Sequence, residues 1–323
     1  MTKVVAQWRL HPAAQGRAEM TRVAAIDCGT NSIRLLIADI DSGNFREIYR
    51  NMEIVRLGQG VDKNKEFHPD AIARTLAATK QFSDEIAKRG VTKIRFCATS
   101  ATRDAKNRDL FIDGVRTILG ISPEVISGVE EAKLSFIGAT RELHQSDAPF
   151  LVIDIGGGST EFVFGESDVL AARSQNIGCV RMSERYFTSA PPQKIEIEGA
   201  IVDIDAAIKE AAEVVPITNA RTLVAVAGTA TTVAAAALGL ESYDRYSIHL
   251  SRISARDTHE VSQKFLTKTR SELAELGYMH PGRVDVIAAG ALVLDRVMLH
   301  TGAEEFVASE SDILDGMAWS IAN

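Results

Sequence analysis

Cysteine is scarce in this chain, and neither cysteine nor histidine occurs in a metal-binding pattern. The 323 residues include three cysteines, Cys28, Cys97 and Cys179, none of them in a Cys-x-x-Cys pair. The seven histidines lack His-x-x-x-His and His-Glu-x-x-His spacings. The usual zinc-binding patterns are therefore missing. Three separated cysteines are typical of a reducing compartment, so we expect a cytoplasmic protein.

Long apolar runs and an excess of positive charge are also lacking. No stretch of 18 apolar residues occurs, which predicts no membrane span and no membrane partner. Residues 1–20 have no apolar core, so we interpret them as a disordered leader and not a secretion signal. The net charge of −7 argues against a nucleic acid polymer as partner. An anionic substrate would need a local basic patch or a metal ion.

What the chain does contain is a repeated turn. Residues 26–32 read Ile-Asp-Cys-Gly-Thr-Asn-Ser, and residues 153–159 read Ile-Asp-Ile-Gly-Gly-Gly-Ser. In each copy an apolar run delivers an Asp into a glycine-containing turn. The glycines allow the backbone N–H groups to approach an anion, and the Asp can hold a cation. Two such turns predict two related units that face each other across a cleft.

The elements predicted around each turn also repeat. Three successive strands are predicted from residue 21 to 55 and again from 150 to 175, and alternating helices and strands follow each set. This pattern predicts a duplicated α/β architecture. Further turns, at residues 99–103, 127–131 and 228–232, join a predicted strand to a helix, which is where α/β folds bind ligands. Any one of these turns, taken alone, is most simply a structural turn.

Taken together, these segments resemble the exopolyphosphatase / guanosine pentaphosphate phosphohydrolase (Ppx/GppA) family. The residues that carry the resemblance are 25–32, 98–103, 126–133, 152–161, 177–180 and 228–229. The family lies within the actin–hexokinase–Hsp70 ATPase-like superfamily. The resemblance therefore implies duplicated ribonuclease H-like domains that flank a cleft. It implies a first domain at residues 21–128, completed by a C-terminal helix at about 305–323, and a second domain at 129–304.

The resemblance also implies an activity. Family members release terminal orthophosphate from inorganic polyphosphate, or the 5′ γ-phosphate from pppGpp, in a metal-dependent hydrolysis. Longer relatives carry an added helical domain for which this chain has no room after its closing helix. We therefore expect short-chain polyphosphate or a nucleotide to be as suitable a substrate as long polyphosphate.

The same resemblance implies the roles of individual residues. Glu131 matches the general base that activates water, and its close neighbour Glu130 could raise its pKa. Asp154 and Glu161 match the carboxylates that hold Mg²⁺, with Mn²⁺ as the alternative, and Asp27 could assist them. Eleven residues are expected to bind the terminal phosphates: Gly29, Thr30, Asn31, Ser32, Arg103, Gly157, Gly158, Ser159, Thr160, Gly228 and Thr229.

Two other functional classes remain open from the sequence. A kinase or ATPase of the same superfamily would need an adenosine pocket, for which residues 228–236 are the candidate. A non-enzymatic sensor would bind (p)ppGpp without turnover, although it would not need all three carboxylates. The cations Lys133, Arg173, Arg181 and Arg185 could extend a basic track, but a solvated surface role is the simpler expectation for each. Exposed apolar helix faces leave a homodimer open.

Overall fold

The structure, a computed structural model, describes residues 20–41 and 43–322. Apart from residue 20, the leader predicted at residues 1–20 lies outside the described residues. Within the described part of the chain, no helix is long and apolar enough to cross a bilayer.

The first half of the chain forms one mixed sheet with helices packed against it. Its elements are β1 (Thr21–Cys28), β2 (Ser32–Ile40), β3 (Phe45–Ile54), α1 (Val61–Asn64), α2 (Pro69–Lys88), β4 (Lys93–Ala98), α3 (Ser100–Asp104), α4 (Arg108–Leu119) and β5 (Glu124–Val125). The strand order is β3-β2-β1-β4-β5. The first three strands form an antiparallel meander, and β4 and β5 continue the sheet in parallel.

The second half repeats this plan with additional helices. Its elements are α5 (Gly128–Thr140), β6 (Phe150–Ile155), β7 (Thr160–Gly165), β8 (Val169–Gln175), α6 (Cys179–Tyr186), α7 (Lys194–Ala212), β9 (Thr222–Val226), α8 (Ala227–Ala237), α9 (Arg245–Ile248), β10 (Arg252–Ser254), α10 (Ala255–Leu266), α11 (Arg270–Ala274), α12 (Ile287–Thr301), β11 (Glu305–Ala308) and α13 (Ile313–Ala322). The strand order is β10-β11-β9-β6-β7-β8. Strands β8-β7-β6-β9-β11 correspond in order to β3-β2-β1-β4-β5, so the predicted duplication is confirmed.

The C-terminal helix starts later than the predicted boundary near residue 305. Residues 305–308 instead form β11, which pairs with β9 and β10 in the second sheet. The apolar side chains of this segment are buried in that sheet, which favours a strand over a helix here. The helix begins after Asp312, whose Oδ1 accepts a hydrogen bond from the N–H of Leu314 at 3.0 Å. Helix α13 then packs on the first sheet, with Met317 and Trp319 in that apolar core.

Helix α5 lies between the two sheets and is therefore the element that connects them. Leu134 packs in the core that α13 forms on the first sheet. Phe136 and Ala139 pack with strands of the second sheet. A helix that contributes to both cores is fixed relative to both, which matters for any functional side chain on its first turn.

The crossing of α5 and α13 depends on two glycines. A Cβ atom at Gly138 would stand 1.8 Å from the carbonyl oxygen of Asp312, and one at Gly316 would stand 2.0 Å from the carbonyl oxygen of Leu134. These neighbours are backbone atoms, which cannot rotate away as a side chain can. The two helix backbones are therefore in direct contact.

We expect Gly138→Ala to destabilise the protein, because the clash at the crossing outweighs the gain in helix propensity. Overpacking of this kind costs about 1–3 kcal/mol, whereas the propensity gain is about 1 kcal/mol. Urea unfolding measures the difference. The matched control is Gly199→Ala in α7, where the nearest atom to the new Cβ is in the ring of Tyr186, at 3.2 Å. A Gly138→Ala protein as stable as the control would contradict the close crossing.

Candidate active site

A cleft with a cavity of about 530 Å³ lies between the two sheets. It is formed where β1 and β6 end in the repeated turns and where α5 begins. Twelve of the predicted site residues line it: Asp27, Gly29, Thr30, Asn31, Ser32, Glu131, Asp154, Gly157, Gly158, Ser159, Gly228 and Thr229. The cavity lining does not include the other three, Arg103, Thr160 and Glu161, although Arg103 is hydrogen-bonded to Glu131 and Glu161 to Ser159 in that lining.

The two copies of the repeated turn contact each other across the floor of the cleft. A Cβ atom at Gly158 would stand 2.7 Å from Oγ1 of Thr30 and 2.6 Å from Oγ of Ser100. A Cβ atom at Gly157 would stand 2.9 Å from Cβ of Thr30. Only glycine allows this approach, so the glycines of the second turn serve the contact between the two units as well as the turn itself.

Glu131 lies on the first turn of α5 and is buried. The helix starts at Ser127, whose Oγ accepts a hydrogen bond from the N–H of Glu130 at 3.2 Å. Arg103 donates to Oε2 of Glu131 at 2.7 Å and, through the same nitrogen, to the carbonyl oxygen of Ile126 at 3.0 Å. Burial raises the pKa of Glu131, while the Arg103 cation opposes part of that shift. The result is an oriented carboxylate whose proton affinity exceeds that of a free Glu.

Asp154 is the last residue but one of β6, and its carboxylate is held by a hydroxyl that sequence analysis missed. Oγ of Ser135 donates to Oδ2 of Asp154 at 2.5 Å. Ser135 is four residues after Glu131, so the two side chains occupy one face of α5. Burial, with the nearby negative charges of Asp312 and Glu131, raises the pKa of Asp154 to about 7. Helix spacing from Glu131 was the signal that could have identified Ser135.

Glu161 is directly opposite Asp154 in the β6–β7 pair. Its Oε1 accepts hydrogen bonds from Oγ of Ser159 and from Oγ of Ser174, both at 2.7 Å. Its Oε2 is buried and has no hydrogen-bond partner among the described residues. Burial is the main cause of its raised pKa, followed by repulsion from Glu131 and Asp154.

Asp27 is paired with an arginine that sequence analysis did not identify as part of the site. Arg34 is opposite Asp27 in the β1–β2 hairpin and donates to its Oδ2 from Nη2 at 2.6 Å. Nε of Arg34 donates to the same oxygen at 3.0 Å, and Nη1 contacts Asp312 at the start of α13. Hairpin register could have linked Asp27 with Arg34, but only the tertiary structure brings Asp312 to the cleft. Oδ1 of Asp27 is buried and has no partner among the described residues.

The donors at this site suit a hard cation with a partly open coordination shell. In residues 20–41 and 43–322, no three Asp, Glu, His or Cys side chains are grouped closely enough to hold a metal ion. The buried, unpartnered oxygens of Asp27 and Glu161 are nevertheless of the type that such an ion binds. An ion with one or two protein carboxylates would complete its shell with water and substrate oxygens, as Mg²⁺ commonly does.

The crowded carboxylates predict how stability depends on pH when divalent metal is absent. A carboxyl with a raised folded-state pKa contributes stability at low pH that is lost as the pH rises through that value. For Asp154 this window runs from about 4, the unfolded value, to about 7. In EDTA we therefore expect the melting temperature to fall between about pH 4 and pH 7. Asp154→Asn should make the decline shallower, and an unchanged slope in this variant would contradict the assignment.

A family model for the "Ppx/GppA phosphatase family" matches residues 36–322. The chain belongs to the Ppx/GppA phosphatase family. It is 46% identical over 316 residues to Exopolyphosphatase 2 of Mycobacterium tuberculosis, a match that covers 94% of this chain and 99% of the relative. It is 36% identical over 165 residues to a guanosine-5′-triphosphate,3′-diphosphate pyrophosphatase of Photobacterium profundum, covering 51% of this chain and 33% of that protein.

A solved structure agrees with the Ppx/GppA assignment. The crystal structure of an exopolyphosphatase-like protein superposes with a TM-score of 0.92 at 44% identity, covering 94% of this chain and 98% of that one. The family expected from the motifs, the duplicated fold and a phosphatase enzyme are thus confirmed.

Proposed function

We propose that this Ppx/GppA phosphatase is an exopolyphosphatase that releases terminal orthophosphate from inorganic polyphosphate. The observation that carries the proposal is the position of Glu131, a buried carboxylate with a raised pKa that lines the same cleft as both glycine-containing turns. Turns of this type bind anions through backbone N–H groups. The 46% identity to an exopolyphosphatase supports polyphosphate as the anion.

The chain's own residues supply a base and a phosphate cradle. Glu131 accepts a proton from water, whose oxygen forms a new bond to the terminal phosphorus, while the bond from that phosphorus to the bridging oxygen breaks. The products are orthophosphate and a chain shortened by one unit. Arg103 keeps the carboxylate of Glu131 oriented toward the cleft. The turns at residues 29–32 and 157–160 hold the phosphate in line, so that catalysis consists mainly of positioning and charge neutralisation.

A divalent cation belongs to this proposal. Asp154 and Glu161, with Asp27 assisting, would hold Mg²⁺ or Mn²⁺, and the ion would neutralise phosphate oxygens. Asp154 is part of the cavity lining, whereas Glu161 is not. In this proposal Oε2 of Glu161 would reach the ion directly or through water, and Oε1 would orient Ser159, to which it is hydrogen-bonded.

The Gly228–Thr229 segment, the candidate for an adenosine pocket, lies against an arginine side chain. A Cβ atom at Gly228 would stand 2.5 Å from Cζ of Arg283, so the guanidinium lies directly on this turn. Arg283 is held there by a hydrogen bond to Oγ1 of Thr232 at 2.9 Å. A cation over the turn favours a bound phosphate at this position.

A second substrate, pppGpp, is favoured by a different part of the cavity. The cavity lining also includes the apolar side chains of Met52, Ile54, Tyr278, Met279 and Ile287. Polyphosphate has no apolar group to pack against these side chains, whereas a purine base would bury apolar area against them. The partial match to a pyrophosphatase acting on guanosine-5′-triphosphate,3′-diphosphate is consistent with this second proposal.

One panel of substrates tests these proposals. Released orthophosphate is measured with tripolyphosphate, long-chain polyphosphate, pppGpp and ATP, each with Mg²⁺, with Mn²⁺ and with EDTA. We expect metal-dependent release from tripolyphosphate and from pppGpp. Release from none of them would remove the hydrolase proposal, and transfer of phosphate from ATP to an acceptor would favour the kinase. Tight (p)ppGpp binding without turnover would favour the sensor. Size-exclusion chromatography of the same sample tests whether the protein forms a homodimer.

A further inference from the structure

The first residues of α6 donate hydrogen bonds to the backbone of the glycine turn, Gly156–Gly158. The N–H of Cys179 donates to the carbonyl oxygen of Gly156 at 2.9 Å, and the N–H of Val180 donates to that of Gly157 at 2.9 Å. In a trans peptide the C=O and N–H point in opposite directions. The two peptides that begin at these carbonyls therefore direct their N–H groups away from α6.

The third carbonyl of the turn is held by a side chain instead. Nε of Arg181 donates to the carbonyl oxygen of Gly158 at 2.6 Å. By the same geometry, the N–H of Ser159 points away from the guanidinium of Arg181. The N–H groups of Gly157, Gly158 and Ser159 are thus turned away from the groups that hold the three carbonyls, which is how an anion-binding nest presents its donors. Arg181 is only 6% exposed, so the expectation that it lies on a solvated surface is wrong.

The other nitrogens of the same guanidinium contact the first unit. Nη2 of Arg181 donates to Oδ2 of Asp104 at 2.6 Å, and Nη1 contacts Asp62. Asp104 ends α3 and Asp62 lies in α1, so both carboxylates belong to elements of the first half of the chain. One buried cation thus connects the last peptide of the glycine turn with the opposite unit.

We propose that Arg181 is a positioning residue that turns the Gly158–Ser159 peptide so that its N–H completes the phosphate nest. Asp62 and Asp104 hold Arg181 in the required rotamer, so the third donor is in place only when the two units are in contact. This inference rests on the proposed function, because it assigns the nest to a phosphate. It adds a residue that touches neither the phosphate nor the water.

The neighbouring arginine on α6 provides a matched control. Arg185 donates to Oδ2 of Asp62 from Nε at 2.7 Å and to Oδ2 of Asp203 at 3.0 Å. It therefore shares an inter-unit carboxylate with Arg181. Its hydrogen bonds, however, do not include any to the glycine turn among the described residues. If activity falls in the Arg181 variant and not in the Arg185 variant, the cause is the contact to the Gly158 carbonyl and not the loss of an ion pair between the units.

The experiment compares Arg181→Met with Arg185→Met. Loss of one preorganised donor lowers rates by about 10²–10³-fold, so we expect a fall in kcat/KM of about 10–100-fold on tripolyphosphate for Arg181→Met, where the donor is misplaced and not removed. Arg185→Met should lose less than about threefold, as expected for an exposed ion pair. In the crystal structure of Arg181→Met, the Gly158 carbonyl should have turned away from α6. Equal kcat/KM for the two variants, with this peptide unmoved, would overturn the inference.

Two further measurements test the role of Arg181 if Arg181→Met does not fold or if the wild-type protein is inactive. If Arg181→Met does not fold, Asp104→Asn replaces it, because this variant loosens the guanidinium and leaves the Gly158 contact possible. A fall in kcat/KM of about 3–10-fold is then expected, equivalent to about 1 kcal/mol, and unchanged kcat/KM would overturn the coupling. A wild-type protein that releases no phosphate would remove the proposed function alone. The orientation of the Gly158–Ser159 peptide in the variant crystal structures would still decide the role of Arg181.

Discussion

Replacing Glu131 by Gln lowers the rate of phosphate release by about 10³-fold or more while leaving the fold intact. The magnitude follows from removal of a general base, which contributes about 10²–10⁴-fold. Gln has the shape of Glu but cannot accept the proton from water. Because burial already raises the pKa of Glu131, a neutral side chain at this position should not destabilise the protein. Orthophosphate release and the melting temperature, measured on the same preparation, test both parts.

The adjacent residue provides the control for this prediction. Glu130 is on the same helical turn, but its side chain is 42% exposed and accepts a hydrogen bond from Arg95 at 3.0 Å. We expect Glu130→Gln to keep phosphate release within about threefold of wild type, since exposed ion pairs contribute little. If Glu130→Gln were as inactive as Glu131→Gln, or if Glu131→Gln retained full turnover, Glu131 would lose its assigned role.

Asp154→Asn is expected to make the metal-free protein more stable and the enzyme much less active. At pH 8 the buried Asp154 carboxylate is ionised against a pKa of about 7, so a neutral amide removes a charge that folding disfavours. The amide can still accept the hydrogen bond from Ser135. Activity should nevertheless fall by about 10²–10³-fold, because neutralisation of the phosphate oxygens depends on this carboxylate.

A variant that melts at a higher temperature but releases phosphate more slowly cannot owe its lost activity to unfolding. Melting temperature in EDTA and orthophosphate release in Mg²⁺ are the two measurements. Asp168→Asn is the matched control, since Asp168 is an exposed residue between β7 and β8 of the same sheet. We expect it to change neither quantity appreciably. An Asp154→Asn protein with wild-type activity in Mg²⁺ would remove Asp154 from the site.

The fold was predictable because its information is local and repeated. An apolar run ending in Asp-x-Gly-x-x-Ser places a strand, a turn and a carboxylate within seven residues, and the second copy at Asp154 predicts the second sheet. Glu131 could be identified only through the family resemblance of residues 126–133, because a Glu on the first turn of a helix commonly does no more than complement the helix dipole. What could be expected from sequence was therefore the set of elements, their order and the residues at the ends of the strands.

The remaining parts of the site depend on contacts between distant segments. Asp312 reaches Arg34 only because α13 returns to the first sheet, and no local pattern encodes that return. Arg181 looked like one of several surface cations, yet it is buried because Asp62 and Asp104 neutralise it from the other unit. Residues 305–308 were grouped with the final helix, although they form a strand that pairs in parallel with β9.

The central claim is that water attacks the terminal phosphorus of a phosphate held between the two repeated turns. Hydrolysis of tripolyphosphate in ¹⁸O-labelled water, followed by mass analysis of both products, tests it most directly. Attack at the terminal phosphorus places the label in orthophosphate and leaves pyrophosphate unlabelled, and this release should disappear in Glu131→Gln. Label in the pyrophosphate, or labelled orthophosphate formed at the wild-type rate by Glu131→Gln, would contradict the account.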